Sequence, residues 1–181
     1  SSSYIPDCFK GDSRVITSDH IWEFHKLPAS VAIIGGGFIG CEFASILNKF
    51  GVKVKIYEMM DTLLPGKDRE ITELLKKSFE KRGIEVNLNQ KLETCEKIEA
   101  EKIFVSVGRI PNIPEVDGLE SDRKGIKTDE KLKTNIEGIY AIGDVNGKYQ
   151  LAYVATKEGE ITAENICGKE EIMSYDFIPE V

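Results

Sequence analysis

Apolar residues follow two alternating patterns between residues 31 and 107, one typical of buried strands and one typical of amphipathic helices. Apolar or alternating runs predict four strands, at residues 31–34, 52–58, 84–88 and 103–107. After the first two runs, apolar residues recur every three or four positions, and Gly51 and Gly83 mark the ends of two predicted helices. Strands that alternate with helices in this way predict an α/β fold with a mainly parallel sheet.

Each predicted helix has one apolar face that we expect to be buried against the sheet. On the first helix this face comprises Phe43, Ile46, Leu47 and Phe50. On the second helix it comprises Ile71, Leu74, Leu75 and Phe79.

The pattern is weaker outside this region. Residues 1–29 are interrupted by proline and glycine, and we expect only one or two helical turns at 19–25, with Ser18 as the N-cap. After Gly108 the sequence predicts three elements, namely a short edge strand at 125–128, a strand at 139–142 and a helix at 151–167.

The first predicted strand runs directly into a glycine-rich turn, Gly35-x-Gly37-x-x-Gly40, and then into the first helix. In such a turn the first glycine permits the tight bend, the second lets the main chain approach a pyrophosphate, and the third lets helix and strand pack closely. Glu58 ends the second strand, 18 residues after Gly40, where an acidic residue accepts hydrogen bonds from the adenosine ribose. Together these features predict a Rossmann-type domain that binds NAD.

Composition and charge exclude several other classes of function. The chain of 181 residues has a formal net charge of −7, and its basic residues are scattered, which argues against a nucleic-acid partner. No apolar run reaches the roughly 18 residues of a membrane span, so we expect no membrane association. The chain lacks an initiator Met and a signal peptide, and we expect it to start inside a longer protein or after a tag.

The four cysteines form neither a CxxC pair nor a metal-ligand spacing with the two histidines. They are Cys8, Cys41, Cys95 and Cys167. We therefore expect no metal site and free thiols, as in a reducing compartment such as the cytoplasm.

Four stretches, in order along the chain, resemble the pyridine nucleotide–disulfide oxidoreductases, and among these the dihydrolipoyl dehydrogenases most of all. They are VAIIGGGFIGCEFA at 31–44, YEMMDTLLP at 57–65, VGRIPN at 107–112 and TNIEGIYAIGD at 134–144. The first two resemble the NAD domain of this family. The last resembles the second dinucleotide motif of its FAD domain, so the resemblance implies NAD and FAD as the cofactors of the intact protein.

The resemblance also implies roles for individual residues. Gly35, Gly37 and Gly40 would hold the NAD pyrophosphate, Phe38 and Ile39 would line the nucleotide path, and Glu42 would lie near the nicotinamide. Asp144 would bond the FAD ribityl chain, and the main chain at Leu151 and Ala152 would meet the flavin ring. Gly108 and Gly143 lie in the matched stretches and complete the predicted cofactor-binding residues, while no catalytic residue is predicted in the chain.

By the same resemblance, four segments are expected. These are a lead-in from an FAD domain at 1–24, an NAD-binding domain at 25–112, a second segment of the FAD domain at 113–176 and the start of an interface domain at 177–181. The intact protein would pass electrons from dihydrolipoamide through a protein disulfide and FAD to NAD. The resemblance further implies a homodimer within a 2-oxoacid dehydrogenase complex, in the cytoplasm or, in a eukaryote, the mitochondrial matrix or another organelle.

Some features of the family are missing from this sequence. It has no FAD-phosphate glycine motif, no pair of redox cysteines four residues apart and no His–Glu acid/base pair, so we expect the chain alone to be catalytically incomplete. The segment 91–102 is shorter than the family's antiparallel insertion, and Tyr153 stands where dihydrolipoyl dehydrogenases usually have histidine. Mercuric reductase, an NADH oxidase or reductase and an isolated NAD-binding module therefore stay open as alternatives.

Overall fold

The computed structural model describes residues 1–179, which divide into two compact units. The N-terminal unit comprises residues 3–108. The C-terminal unit comprises residues 1–2 together with those from 109 onward. Two short strands, β1 (Ser2–Ser3) and β7 (Arg109–Ile110), form a two-stranded sheet.

The N-terminal unit is built around a five-stranded sheet in the order β2-β6-β3-β4-β5, in which every pair of neighbours is parallel. Its strands are β2 (Val15–Ile16), β3 (Ser30–Ile34), β4 (Lys53–Tyr57), β5 (Glu85–Asn87) and β6 (Lys102–Val105). In the centre of the sheet, Ile33 lies opposite Ile56 on one side and Phe104 on the other. The predicted α/β fold with a parallel sheet is confirmed.

Two helices connect the central strands. Helix α1 (Phe38–Lys49) joins β3 to β4, and helix α2 (Arg69–Lys81) joins β4 to β5. Parallel crossovers are right-handed, and both connections step in the same direction across the sheet, so both helices cover the same face. Their buried residues, among them Leu47 and Phe79, share one core with Ile33 and Ile56.

The buried face of α1 differs from the predicted one. Leu47 is buried and Phe43 packs against the core, as predicted, but Ile46 and Phe50 are 45% and 69% exposed. The other buried residues of α1 are small, namely Gly40, Cys41 and Ala44. Because the glycine turn brings the start of α1 close to the sheet, only small side chains fit beneath it. The prediction for α2 is correct for Phe79, which is buried, and for Leu75, which packs against the core, but Ile71 and Leu74 are exposed.

Segments at 5–15 and 91–100 contact the opposite face of the sheet. Phe9, Cys95 and Ile98 are buried in one cluster with Ile34 and Val105. The first 29 residues are therefore more ordered than expected, since they contribute β2 and two 3-10 helices, Asp7–Phe9 and Ile21–Glu23. The helical turn predicted at 19–25 is a 3-10 turn whose N-cap is His20 rather than Ser18.

The C-terminal unit contains helix α3 (Ala152–Ile166) and a 3-10 helix at Gly143–Asn146. The strands predicted at 125–128 and 139–142 are not formed, and each segment makes a single isolated bridge instead. The reason at Gly125 is its close approach to the 3-10 helix, because a Cβ there would lie 2.5 Å from the carbonyl carbon of Asn146. The N–H of Ile126 donates to Val145 O, which belongs to that 3-10 helix, so this donor is not used to pair with a neighbouring strand.

Among the described residues, no helix combines the length and the apolarity needed to cross a membrane.

Candidate functional site

The glycine turn lies at the carboxyl end of β3, between β3 and α1. β4 and β6 flank β3 on its two sides, and the chain order reverses there, because β4 and β5 continue in one direction and β6 lies in the other. In open parallel α/β sheets, ligands bind outside the carboxyl ends of strands at such a reversal. The topology therefore places the predicted residues of the turn at the favoured binding position.

Packing within the unit explains two of the three predicted glycines. Gly35 has a φ of +103°, which favours glycine, and a Cβ there would lie 2.5 Å from Ser106 O. A Cβ on Gly40 would collide with the carbonyl oxygen of Gly35 and approach Ser106 Oγ to 2.9 Å. Both positions are glycine because the helix, the turn and β6 meet there.

Gly37 is different, because no neighbouring atom requires it to be glycine. Its φ of −75° suits any residue, and a Cβ on it would meet no other atom within 4 Å. It is the N-cap of α1, and no side chain of the described residues caps this helix start. The main-chain N–H groups of the first turn and the positive end of the helix dipole are thus suited to an anion, such as a pyrophosphate.

Glu58 follows β4 and bonds to the glycine turn directly. Its side chain is buried, its Oε2 accepts from the N–H of Gly36 at 2.6 Å, and its Oε1 accepts from the N–H of Met60 at 2.8 Å. The carboxylate therefore links the turn to the loop that follows β4. Each carboxylate oxygen has a second lone pair, which is compatible with the predicted hydrogen bonds from ribose hydroxyls.

The loop at 59–67 folds back onto the same turn. Leu64 adopts a left-handed conformation with φ +46°, and its N–H donates to Gly36 O at 2.8 Å. The loop carries Lys67 to α1, where the ammonium lies 5.6 Å from the centroid of the Phe38 ring. Gly36 and Lys67 are parts of this site that the sequence did not indicate, since only the fold brings the loop to the turn.

Cys41 and Glu42 lie in the first turns of α1 with opposite exposure. The Cys41 thiol is buried and donates to Gly36 O at 3.3 Å. Burial, followed by the charges of Glu58 and Glu42, raises the pKa of Cys41 to about 12, so this thiol stays protonated at neutral pH. Glu42 is exposed, on the edge of the helix start.

The remaining predicted residues of the N-terminal unit border the turn or end the unit. Phe38 is partly exposed, and Ile39 packs against the core. Gly108 has a φ of +132°, and its carbonyl oxygen accepts from the N–H of Tyr4 at 3.0 Å.

In the C-terminal unit, a fully buried carboxylate holds the predicted Gly143–Asp144 turn. Glu158, on α3, is 0% exposed and accepts from the N–H of Gly143 at 2.6 Å. It also accepts from Asn146 Nδ2 at 3.0 Å and from the Tyr175 hydroxyl at 2.7 Å. Burial, the hydrogen bond to Glu158 and its charge raise the pKa of Tyr175. Sequence reasoning missed Glu158 altogether.

The structure brings Gly143 and Asp144 to the first turns of α3. A Cβ on Gly143 would lie 3.1 Å from Ala155 Cβ. The Asp144 side chain is 37% exposed and accepts from the Ser1 hydroxyl. Leu151 is the N-cap of α3, which has no side-chain cap, and the adjacent Ala152 is exposed. This end of α3 thus presents main-chain N–H groups and one carboxylate.

Within residues 1–179, no group of three or more His, Cys, Asp or Glu side chains is arranged to hold a metal ion.

Comparison with known proteins identifies relatives along most of the chain. The family model described as pyridine nucleotide-disulphide oxidoreductase matches residues 5–159. A protein named dihydrolipoyl dehydrogenase from Chlamydia pneumoniae is 37% identical over 188 residues, which cover 93% of this chain and 41% of that protein. Another of that name, from Acholeplasma laidlawii, is 41% identical over 167 residues, covering 84% of this chain and 50% of the relative.

A solved structure has the same fold. The HOCl-induced flavoprotein disulfide reductase RclA from Escherichia coli superposes with a TM-score of 0.87 at 27% identity, over 97% of this chain and 45% of that one. The chain thus spans half or less of the length of these relatives.

Proposed function

We propose a function from the premise that this chain belongs to the pyridine nucleotide-disulphide oxidoreductase family: it is the NAD(H)-binding part of a flavin-dependent dihydrolipoyl dehydrogenase. The names of the curated relatives favour this enzyme over mercuric reductase or an NADH oxidase. In the intact enzyme, electrons would pass from dihydrolipoamide through a protein disulfide and FAD to NAD. The substrate, the homodimer and a place in a 2-oxoacid dehydrogenase complex belong to this proposal, as does a location in the cytoplasm or an organelle such as the mitochondrial matrix.

The proposal rests mainly on the observation that nothing within the chain requires residue 37 to be glycine. Gly35 and Gly40 are explained by contacts within the chain, but Gly37 has neither a close neighbour nor an unusual φ. A glycine that folding does not require fits a position where the main chain approaches a ligand. The uncapped start of α1 supplies N–H donors for the two phosphates of that ligand.

The chain's own residues then bind and orient the cofactor. The turn and the start of α1 hold the pyrophosphate, Phe38 and Ile39 line the path beside it, and Glu58 orients the adenosine ribose. When bound, the nicotinamide supplies the hydride acceptor. Glu42, exposed at the first turns of α1, is placed by resemblance near that ring.

The C-terminal unit fits part of a flavin site. Asp144 offers a partly exposed carboxylate for the ribityl chain, and the main chain at Leu151 and Ala152 offers N–H groups for the flavin ring. Residues 113–176 as a segment of an FAD domain, like the other segment boundaries, stay predictions. The expected start of an interface domain at 177–181 includes residues 180 and 181, which lie outside the described residues.

A titration with NADH tests the proposal. The 181-residue chain should enhance NADH fluorescence saturably, and Gly37→Val should weaken NADH binding by at least ~100-fold, because its side chain would occupy the space of the pyrophosphate. The fold of Gly37→Val should survive, since no atom lies within 4 Å of its Cβ position, and circular dichroism checks this. Gly37→Ala is the milder matched variant. Unchanged affinity in folded Gly37→Val would contradict the proposal.

A further inference from the structure

A lysine is held beside the start of α1 by a loop of fixed shape. The loop begins after Glu58, whose Oε1 accepts from the N–H of Met60. Leu63 is buried against Gly36, and the left-handed Leu64 donates its N–H to Gly36 O. The N–H of Lys67 in turn donates to Leu64 O at 3.1 Å. These main-chain hydrogen bonds fold the loop against the glycine turn and bring Lys67 close to the start of α1.

The Lys67 side chain extends over Phe38, the first residue of α1. Its ammonium lies 5.6 Å from the ring centroid, a distance at which a cation is attracted to the face of an aromatic ring. Lys67 is only partly buried. The sequence places Lys67 beyond the Pro65–Gly66 turn, and it is the fold that returns it to the glycine turn.

The charged side chains around the glycine turn include two carboxylates, which would repel a bound pyrophosphate. Glu58 lies directly beneath the turn, and Glu42 is exposed on α1 a few residues further. A pyrophosphate carries two negative charges, so two carboxylates near it oppose binding. The N–H groups of the helix start supply only partial positive charge. A full positive charge at Phe38 would offset the nearby carboxylates.

We infer that Lys67 is a phosphate-binding residue of the nucleotide site, whose ammonium neutralises part of the charge of the pyrophosphate at the start of α1. This inference rests on the proposed function. The position of Lys67 beside Phe38, rather than beside the ribose-binding Glu58, assigns it to the pyrophosphate and not to a 2′-phosphate. It therefore acts equally on NADH and NADPH.

The test compares Lys67→Met with wild type by fluorescence titration with NADH, at ~50 mM and ~300 mM NaCl, because salt screens charge–charge attraction. Methionine keeps an unbranched apolar stem over Phe38, so the loop should keep its shape. We expect Lys67→Met to weaken NADH binding about 5-fold to 20-fold at the lower salt and to flatten its salt dependence. The NADH affinity of Lys67→Arg should stay within about 3-fold of that of the wild type. Lys81→Met, at the far end of α2, is the matched control and should bind NADH as tightly as the wild type does.

The outcomes separate the inference from its premise. Wild type that binds no NADH overturns the proposed function, and the role of Lys67 falls with it. Wild type that binds NADH while Lys67→Met has the same affinity and salt dependence overturns the role of Lys67 alone. A loss confined to NADPH would place Lys67 at the 2′-phosphate and also overturn the assignment. Equal losses for NADH and ADP-ribose, which share the pyrophosphate, support it.

Discussion

In the N-terminal unit the N–H of Gly36 donates to Glu58 Oε2 at 2.6 Å, and in the C-terminal unit the N–H of Gly143 donates to Glu158 Oε2 at the same distance. Both glutamates are buried, and both fix a glycine turn that we predict to meet a cofactor. The surroundings differ, however. Glu58 follows a strand and bonds only main-chain donors, whereas Glu158 lies in a helix and also bonds two side chains.

This difference indicates that Glu58 can still accept hydrogen bonds from a ligand, whereas Glu158 only stabilises the fold. Glu58 lies at the carboxyl edge of the sheet, and the hydrogen bonds from Gly36 and Met60 leave lone pairs for ribose hydroxyls. Glu158 is 0% exposed and receives donors from Gly143, Asn146 and Tyr175. We therefore expect substitution of Glu158 to change stability most, and substitution of Glu58 to change cofactor choice most.

The largest effect is expected for Glu158→Ala. Removing one partner of a buried charged network leaves the other partners unsatisfied, which costs about 3–5 kcal/mol. Local opening at Gly143 should become easier by a similar amount, so the hydrogen-exchange protection of the Gly143 amide should fall at least ~100-fold. Urea unfolding and amide exchange measure the two quantities.

Glu160→Ala is the matched control, because Glu160 lies on the exposed side of α3 and pairs only with the exposed Lys157. We expect it to change stability by less than ~0.5 kcal/mol. If Glu158→Ala were as stable as Glu160→Ala, the comparison between the two turns would be wrong.

The next effect concerns the choice between NAD and NADP. Glu58 should favour NADH by at least ~100-fold, since hydrogen bonds to charged groups contribute ~1.5–3 kcal/mol and a 2′-phosphate ~4 Å away would be repelled by about 4 kcal/mol. Because the Glu58 site is buried, arginine would not fit it, and the isosteric Glu58→Gln is the sharper variant. Glu58→Gln should reduce the preference for NADH over NADPH to about 10-fold or less.

Titrations of the wild type and of Glu58→Gln with NADH and NADPH decide this point. Glu58→Gln also retains only one carbonyl oxygen for Gly36 and Met60, so some loss of stability should accompany the change in preference. Comparable dissociation constants for NADH and NADPH in the wild type would remove Glu58 from the ribose site.

The sequence predicts one of the two turns far better than the other, for a physical reason. The parts that make the Gly35–Gly40 turn lie in consecutive elements, so local periodicity and spacing indicate it. The Gly143 turn depends on Glu158, which reads as an ordinary helical glutamate until the fold brings Asn146 and Tyr175 to it. Residues that act through distant partners carry no local signal.

Errors in the predicted elements have the same origin. Periodicity identified α1 but also indicated Ile46 and Phe50 as buried, because it weights large apolar residues. The start of the helix lies so close to the sheet that the residues buried there are the small Gly40, Cys41 and Ala44. The segment at 125–128 contains the β-branched residues Ile126 and Thr128 and was predicted as a strand, yet Gly125 packs against a 3-10 helix. Tertiary contacts outweigh propensity where two backbones approach this closely.

The smallest effect is expected at Asp12, a carboxylate that is only partly buried, in contrast to Glu58 and Glu158. Hydrogen bonds from the Arg14 guanidinium, and then from the Arg14 main-chain N–H, lower the pKa of Asp12 to about 2. Arg14 also donates to Ile98 O and Cys95 O, so the pair secures the short connection at 91–102.

Because the folded pKa of Asp12 lies below its ordinary value of 3.8, the stabilisation from this pair is present above that value and is lost as the pH falls toward about 2. The urea midpoint of Asp12→Asn should therefore lie below that of wild type at about pH 6, and the two midpoints should converge near the pKa of about 2. Asp117→Asn, at an exposed position, controls for the loss of one negative charge. The pair remains partly accessible to solvent, so its effect should be much smaller than that of Glu158→Ala and should weaken with added salt. A constant difference between wild type and Asp12→Asn at both pH values would show that Asp12 acts by packing rather than by charge.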